Sequence, residues 1–396
     1  MSRGSWPRPG PSHMPRVLIA GIATRAFAES AVQAGYEVVA VDGFGDLDLR
    51  ACAAVVVRTR DREGRFSARR AATDARLLAS DAVAYVASFE NHPASVGALA
   101  RDRILWGNPA SVLKLVRDPL RLARALSHHD LPGPATSATR PSRAGRWLVK
   151  PRASGGGHGI ARWNGGRSAR GSYWQEWVPG IPGSIVFAAD GRRAVALGFS
   201  RMLVGERGLG AAGWRYCGSI LSSKRQPQFP GEAALFDRTL ALATVLTAEF
   251  GLVGVNGVDF IARGGIPYPV EVNPRPTASM ELAERAYGLS VFEIHAQACG
   301  GALPAFDLRA ARADQHAAIG KGIVYAREDA MVGDTRSWLG DRSVRDIPAP
   351  GEAIAGGRPV CTVFAQAAGA DLCHEALLER ARAVYRALGR RTRSIA

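Results

Sequence analysis

The sequence predicts an α/β protein built from more than one domain, and three observations lead to this prediction. The chain has 396 residues, more than one hydrophobic core usually serves. Hydrophobic residues make up 47% of it, which suffices for a sizeable core. Apolar runs alternate with helical segments through the first hundred residues, as expected for strands joined by helices in a parallel sheet.

The N-terminal part has the pattern of repeated strand–helix units. The run RVLIAGIA (16–23) is typical of a buried strand, AFAESAVQAG of a helix, and YEVVAVD of a second strand. Only Gly21 stands at the first turn, so the GxGxxG pattern of a dinucleotide site is missing. We predict an α/β domain over residues 15–107 without a cofactor of its own. Residues 1–14, rich in Pro, Gly, Ser and Arg, are expected to be disordered.

Helices and β stretches alternate less regularly from residue 108 onward. Residues 109–130 are expected to be helical, with Asp118 as the N-cap in front of Pro119. The other expected elements are strands at RWLVKP, SYWQE, SIVFAAD and RAVALGFSRML, helices over 231–250 and 278–301, a hairpin of Val255–Ala262 and Tyr268–Asn273, and late strands GIVYA and RPVCTVFA before a final helix.

The charge of the chain is strongly unbalanced. Lys and Arg number 51 against 35 Asp and Glu, for a net charge of +16. Such a charge favours anionic partners but does not choose among phosphates, carboxylates and nucleic acid. The arginines are scattered through Ala-rich helices, and no helix–turn–helix, aromatic RNA-binding strand or zinc spacing is present. We therefore expect no nucleic-acid partner.

The cysteines and the apolar runs indicate the compartment. Five cysteines stand far apart without a CxxC pair, which argues against a disulfide framework or a zinc site. No apolar run approaches the ~18 residues that a membrane span needs. We expect a cytoplasmic protein without membrane contact.

A hairpin near residue 265 carries the first candidate site. Asp259 and Glu271 become cross-strand neighbours if the strands pair around the Gly-Gly turn, and Asn273 shares the face of Glu271. Two carboxylates and an amide oxygen form a hard-oxygen site suited to Mg²⁺. Without a cation such close carboxylates repel each other. The alternative is a solvated hairpin with ordinary acidic positions.

Two further stretches suggest nucleotide binding. Lys150 ends a strand and precedes the glycine-rich loop SGGGHG (154–159), whose backbone N–H groups could fold over phosphates. It is not a Walker A loop, and the alternative is a flexible hairpin turn. The stretch WQEWVPG (174–180) could offer backbone groups and Gln175 to an adenine edge, or be a structural strand end.

In order and spacing these blocks resemble the ATP-grasp superfamily. The matching stretches are WLVKPRASGGGHGI, YWQEWVPG and GVDFI…PVEVNPRP, and the resemblance covers roughly residues 15–300. It implies a pre-ATP-grasp Rossmann-like domain over 15–107, an ATP-grasp domain of two α+β subdomains over 108–303, and a small C-terminal α/β extension over 304–396. The stretch FENHP…RDP…VEVNPRPTASMELAE resembles a branch found in methylotrophic bacteria beside genes for methylofuran and tetrahydromethanopterin.

The resemblance implies a role for each matching residue in binding ATP. Lys150 would bind the α-phosphate and the adenine side. The residues that would close over the β- and γ-phosphates are Gly155, Gly156, Gly157 and Gly159. Those that would line the adenine, the last two through their backbones, are Gln175, Glu176 and Val178.

It also implies a metal site and a phosphoryl-transfer site. Mg²⁺, or Mn²⁺ in its place, would be held by Asp259, Glu271 and Asn273. Arg275 would steady the transferring phosphoryl group or an acyl phosphate, and Arg201 would contact phosphate or substrate.

Two positions depart from the family pattern. Many members carry a lysine after the Asp of the first helix, where this chain has Pro119, so Arg117 or Arg121 is expected to supply the charge. Many also have a ribose-binding acid where this chain has Pro182. Neither departure touches the metal or glycine-loop residues.

The resemblance implies a carboxylate–amine ligase that releases ADP and phosphate through an acyl phosphate. The methylotroph branch would make it a glutamate ligation in one-carbon carrier synthesis, and family members are often homodimers. Two alternatives stay open: phosphorylation of bicarbonate, as in biotin carboxylase, and a basic nucleic-acid-binding protein.

Overall fold

The computed structural model describes residues 14–61, 65–142, 146–166 and 170–389. The segment expected to be disordered, 1–14, lies outside this description except for the exposed Met14. No helix in the described part of the chain combines the length and apolar character that a membrane span requires.

The first hundred residues form a five-stranded parallel sheet with strand order β3-β2-β1-β4-β5. Apolar side chains of both sheet faces pack against helices. All carboxyl ends of the strands meet at one edge, where such sheets place their ligands. The elements are β1 (Arg16–Gly21), α1 (Arg25–Gln33), β2 (Glu37–Asp42), α2 (Leu47–Cys52), β3 (Val55–Arg58), α3 (Ala68–Ala75), β4 (Ala82–Tyr85), α4 (Pro93–Leu99) and β5 (Ile104–Trp106).

The expected helix over 109–130 is two helices, α5 (Ala110–Val116) and α6 (Pro119–His128). The helix breaks because Asp118 is extended and caps α6, its Oδ1 accepting a hydrogen bond from the amide of Leu120 at 2.9 Å. The predicted cap is therefore confirmed, and the segment expected to be helical is helical on both sides of it.

A small antiparallel sheet follows, with strand order β6-β9-β7-β8. Its inner strands carry Lys150 and Gln175. The elements are β6 (Thr136–Ser137), β7 (Trp147–Pro151), β8 (Ala161–Arg162) and β9 (Ser172–Glu176).

The largest sheet has eight strands in the order β14-β13-β10-β11-β12-β15-β19-β17. The strand β12 was not predicted, yet it joins the predicted hairpin's half of the sheet to the strands of segment 304–396. Its first elements are β10 (Ile181–Asp190), β11 (Ala194–Val204), β12 (Tyr216–Leu221), the helix α7 (Glu232–Phe250), β13 (Val253–Arg263) and β14 (Ile266–Asn273).

The helix expected over 278–301 is also two helices, because Gly288 adopts φ 65° after the first of them. Both pack on the face of the large sheet opposite α7. The remaining elements are α8 (Met280–Tyr287), α9 (Val291–Cys299), α10 (Leu308–Asp314), β15 (Ala318–Tyr325), β16 (Ala330–Met331), β17 (Val344–Arg345), β18 (Ala353–Ile354), β19 (Pro359–Ala367) and α11 (Ala370–Gly389).

A buried arginine ties the parallel sheet to the rest of the molecule. Arg25, in the first turn of α1, is 1% exposed, and its guanidinium contacts four carboxylates. They belong to α1, α2, α8 and the loop after β17: Glu29 at 3.0 Å, Asp48 at 3.6 Å, Glu281 at 2.5 Å and Asp346 at 2.9 Å. Burial alone would raise the pKa of Glu281, but Arg25 and Lys321 hold that pKa far below its usual range.

We expect Arg25→Met to destabilise the protein by about 3–5 kcal/mol, because it leaves several carboxylates buried without their counter-charge. Arg382→Met is the control, since Arg382 lies 61% exposed on α11 beside Glu379. Urea unfolding measures both variants. Equal free energies of unfolding for the two would contradict this role of Arg25.

Candidate active site

The β13–β14 hairpin brings together the three residues predicted to hold a metal. Asp259 lies opposite Glu271 and Gly257 lies opposite Asn273, which confirms the predicted pairing. The amide Nδ2 of Asn273 donates a hydrogen bond to Asp259 Oδ2 at 2.9 Å. A shift of register after Asp259 marks a bulge, which re-aims side chains at the end of a ladder. Two carboxylates and one amide therefore converge on one face of the sheet.

The two carboxylates sit in different electrostatic surroundings. Burial, followed by the neighbouring charge of Glu271, raises the pKa of Asp259 to about 6. Burial acts in the same direction on Glu271, but Arg117 and Lys150 outweigh it and lower its pKa. At neutral pH both carboxylates are ionised, so the pair favours positive charge beside it.

Arg117 places a positive charge beside this pair and links its own helix to three other segments. Its Nη1 lies 2.6 Å from Glu271 Oε1 and donates to the carbonyl of Val272 at 3.0 Å. Its Nη2 donates to Asn91 Oδ1 at 2.8 Å and to the carbonyl of Ser154 at 3.1 Å. The guanidinium thus links the hairpin, the carboxyl edge of the parallel sheet and the base of the glycine loop. Its Nε is buried without a partner among the described residues.

Lys150 approaches the same place from the small sheet. Its Nζ donates to Gln175 Oε1 at 3.0 Å and to the carbonyl of Val270 at 3.3 Å. Burial lowers the pKa of this ammonium, against the attraction of Glu271. No carboxylate within the described residues contacts the ammonium directly, so its charge is available to an anion. Of the other predicted adenine-lining residues, Val178 is buried, and the amide of Glu176 donates to the carbonyl of Ala135 at 2.7 Å.

The glycine loop folds back onto the start of β12. Gly156, Gly157 and Gly159 all have positive φ, at 62°, 79° and 72°. A side chain on Gly157 would collide with the carbonyl of Trp214. The loop and the hairpin line one cleft, together with α5, α6 and β7. Its lining includes Arg117, Lys150, Gly155, Gly157, Tyr173 and Glu271.

Arg275 leaves the hairpin and points to the carboxyl edge of the parallel sheet. Its Nη2 lies 2.9 Å from Glu90 Oε1 and 3.2 Å from Asn273 Oδ1. Glu90 is only 1% exposed. Sequence reasoning did not assign Glu90 or Asn91 to the site, although both belong to the quoted FENHP stretch. Adjacent acidic and amide residues just after a parallel strand were the available signal.

Arg201 does not join the other predicted site residues. It pairs with Gly183 on β10, whereas the next residue of β10, Ser184, pairs with Asp259. Successive side chains of a strand point to opposite faces, and so Arg201 lies on the face of the sheet covered by α7. The expected contact of Arg201 with phosphate or substrate was wrong for this reason.

We expect Asp259→Asn to stabilise the protein at pH 7.5 in the absence of nucleotide, by up to about 3 kcal/mol. The pKa of Asp259 is about 6 in the folded protein and 3.8 ordinarily. The free energy of unfolding therefore falls as pH rises from about 4 to about 6, because the unfolded chain releases the proton of this carboxyl more easily than the folded one. Above about pH 6 this loss of stability no longer changes with pH.

Urea unfolding of both proteins at pH 4 and pH 7.5 tests this expectation. The gain should be small at pH 4, because this pH lies close to the ordinary pKa of 3.8, so the raised pKa of Asp259 has cost little stability by then. Asp237→Asn, on the exposed side of α7, is the control and should change little at either pH. A gain of the same size at both pH values would contradict the electrostatic explanation.

The comparisons with known proteins agree with this arrangement. A family model described as an ATP-grasp domain matches residues 116–279, the range that holds every predicted site residue. A comparison with curated proteins found no match.

Solved structures resemble nearly the whole chain. Rhizobium etli pyruvate carboxylase gives a TM-score of 0.69 at 14% identity over 93% of this chain, which spans 37% of that protein. The biotin carboxylase domain of Hydrogenobacter thermophilus 2-oxoglutarate carboxylase, solved with MgADP and bicarbonate, gives 0.69 at 14% identity, covering 94% of this chain and 90% of that one.

An L-amino acid ligase from Bacillus licheniformis gives a TM-score of 0.66 at 15% identity. The likeness covers 94% of this chain and 98% of that one. At such identities the likeness establishes the fold, and the family model locates its central unit. This chain has a mixed α/β fold that contains an ATP-grasp domain.

Proposed function

We propose that this chain is an ATP-dependent carboxylate–amine ligase that works through an acyl phosphate. One observation carries the proposal: the carboxylates of Asp259 and Glu271 oppose each other across the hairpin, and Glu271 lines a cleft with the glycine loop and Lys150. Within the described residues no carboxylate contacts the ammonium of Lys150, which is held by Gln175 and a carbonyl. A structural hairpin gains nothing from opposing like charges across its strands. A site for a nucleotide and its cation requires them.

The nucleotide would lie between the small sheet and the hairpin. Lys150 would face the α-phosphate, and the loop from Gly155 to Gly159 would cover the β- and γ-phosphates with its backbone N–H groups. Gln175, Glu176 and Val178 would border the adenine at the end of β9. The positive φ values in the loop support this arrangement, because they turn peptide groups in ways that other residues resist.

The residues of the hairpin fit a magnesium ion. Asp259 and Glu271 offer carboxylate oxygens, Asn273 offers an amide oxygen, and this hard-oxygen set is the one that Mg²⁺ prefers. Burial and then the neighbouring charge of Glu271 raise the pKa of Asp259, and a cation bound beside it would favour its ionised form. A cation bound there would neutralise charge on the transferring phosphoryl group.

The remaining task of the protein is to position the substrate carboxylate, the nucleotide and the amine. An oxygen of the substrate carboxylate attacks the γ-phosphorus while the bond to the ADP oxygen breaks, and this gives an acyl phosphate. The amine nitrogen then attacks the acyl carbon, and phosphate leaves with the electrons of the C–O bond. The protein supplies no covalent nucleophile. Arg275 would stabilise charge on the transferring group, and Glu90 would fix its guanidinium.

Arg117 would take over from the family lysine that Pro119 replaces. Pro119 begins α6 and carries no charge, but Arg117 enters the same cleft two residues earlier. Its guanidinium contacts Glu271 and the carbonyl of Ser154 at the base of the glycine loop. It would therefore supply positive charge near the phosphates and hold the loop to the hairpin.

Glutamate is the first carboxylate to test, because the sequence resembles the branch associated with one-carbon carriers. ADP release from MgATP is measured with glutamate and other carboxylates, each with and without candidate amines, and the amide is sought by mass spectrometry. Bicarbonate-dependent ADP release without an amine would favour the carboxylase-type alternative. Absence of both ADP and amide across the panel would overturn the ligase proposal.

We expect Glu271→Gln to lower the rate of ADP release at least about 100-fold, because it removes a charge that would orient the cation and the γ-phosphate. Glu249→Gln, on the exposed end of α7, is the control and should keep full turnover. Circular dichroism confirms that both are folded. Unchanged turnover of Glu271→Gln would count against the site.

Arg117→Lys should lower turnover about tenfold or more, although the charge is kept. A lysine cannot reach Glu271, Val272, Asn91 and Ser154 at once, since it lacks the forked geometry of a guanidinium. Arg121→Lys is the matched control, because Arg121 is half-exposed and makes only a weak pair with Asp118. Equal steady-state rates for both variants would show that positive charge alone is required.

A further inference from the structure

A second group of cations borders the candidate active site and is not used by the proposed phosphoryl transfer. It comprises Arg58, Arg60, Arg215 and Arg358, which we call the arginine cluster. These residues come from three parts of the chain: the end of β3, the start of β12 and the residue before β19. All three parts converge on one loop, residues 351–358.

The contacts within the cluster are specific. Arg58 and Arg60 both reach Glu352, the latter at 3.4 Å, and Arg60 Nε donates to the carbonyl of Gly43 at 2.7 Å. Arg215 donates from Nη1 to the carbonyl of Gly357, and its guanidinium lies 5.0 Å from the centre of the Tyr325 ring. These bonds hold the arginines in place and leave donor atoms free.

Arg358 is the residue of the arginine cluster whose side chain has the fewest polar partners among the described residues. Its side chain is exposed, and no hydrogen bond or ion pair to it is found within the described residues. Its charge is nevertheless felt by its neighbours. Burial, with Arg58 and Arg358, lowers the pKa of Arg60 against the attraction of Glu352. Within the described residues, the loop 351–358 carries the carboxylate of Glu352 and receives that of Asp329 on the amide of Gly356.

The cluster borders the glycine loop where that loop meets the start of β12. The amide of Tyr216, next to Arg215, donates to the carbonyl of Gly156 at 3.1 Å. His158 extends from that loop toward the cluster, and burial together with Arg215 and Arg358 lowers its pKa. Arg58 and Arg60 end a parallel strand at the edge that also presents Glu90 and Asn91. The cluster therefore lies beside the glycine loop and outside the lining of the nucleotide cleft.

Four guanidiniums so placed repel one another, and their forks match the paired oxygens of phosphate and carboxylate groups. We propose that the arginine cluster binds an oxyanion of the ligated substrate, a phosphate monoester or a carboxylate other than the one activated. This proposal rests on the proposed ligase function. It assigns the substrate a second anionic group on the far side of the reacting carboxyl.

The test uses inorganic phosphate and tricarballylate as probes, added to the full chain saturated with MgADP. Isothermal titration calorimetry measures the affinity for each probe and, in separate titrations of the nucleotide-free protein, the affinity for MgADP. Wild-type protein should bind at least one probe, and Arg358→Gln and Arg58→Gln should weaken it about tenfold. Preference for phosphate or for tricarballylate identifies the source of the oxyanion. Arg382→Gln is the control for a lost surface charge.

A second readout comes from the imidazole of His158. Binding of the probe should raise the pKa of His158, seen as a shift in the titration of its C2 proton by NMR, and Arg358→Gln should abolish the probe-induced change. Probe affinity that is insensitive to Arg358 and Arg58 but lost in Arg275→Gln would overturn the proposal, because the ion then occupies the phosphoryl-transfer position.

The two proposals fail in distinguishable ways. If wild-type protein does not bind MgADP, the nucleotide site itself is wrong. If it binds MgADP and the arginine variants change neither probe affinity nor His158, only the substrate-oxyanion site is wrong. All variants should keep the wild-type affinity for MgADP, because none of the substituted cluster residues lines the nucleotide cleft.

Discussion

The opposition of Asp259 and Glu271 across the β13–β14 hairpin is the constraint on which the site depends. Burial, followed by the repulsion between the two carboxylates, raises the pKa of Asp259 to about 6. Three cations lower the pKa of Glu271: Arg117, which pairs with it directly, Lys150 and Arg275. Arg117 comes from the end of α5, Lys150 from β7, and Arg275 from the end of the hairpin. The carboxylate pair therefore organises the assembly of the segments as well as the proposed chemistry.

Buried guanidiniums perform a related task elsewhere in the molecule. Arg25 joins α1 to α8 and to the loop after β17, and Arg275 joins the hairpin to Glu90 at the parallel sheet. An arginine suits such junctions because its planar fork satisfies several acceptors and keeps its charge when buried. Scattered arginines in the sequence were interpreted mainly as a basic surface. Several of them instead hold carboxylates that lie far away in the chain.

Short sequence patterns predicted those parts of the fold that depend on interactions between residues close together in the chain. The Gly-Gly turn and the alternation of Val270 to Asn273 fixed the hairpin register, and Asp118 before Pro119 fixed the start of α6. The break between α8 and α9 at Gly288 was missed, because apolar residues on both sides continue the helical period. The strand β12 was missed because its six residues are short and contain Gly218.

The face of a residue could be predicted only where the strand register was known. Arg201 lies on β11, in the same sheet as the hairpin, but it is one position out of phase with Asp259, and this places its side chain on the opposite face of the sheet. Glu90 contributes because the parallel sheet meets the end of the hairpin, where Glu90 pairs with Arg275 about 180 positions later in the chain. Asn91 contributes through its contact with Arg117 at the end of α5. Sequence spacing carries no information about such a contact unless the domains' arrangement is already known.

The cations form two separate groups, and this separation would orient the substrate in the proposed reaction. Lys150 and Arg117 lie on the side of the small sheet and glycine loop, whereas the arginine cluster lies on the side of β12 and loop 351–358. Phosphates on one side and a substrate oxyanion on the other would hold the reacting carboxyl in line with the γ-phosphate. Two separated cationic surfaces orient an extended dianionic substrate better than one, because a single surface would allow either end to bind next to the nucleotide.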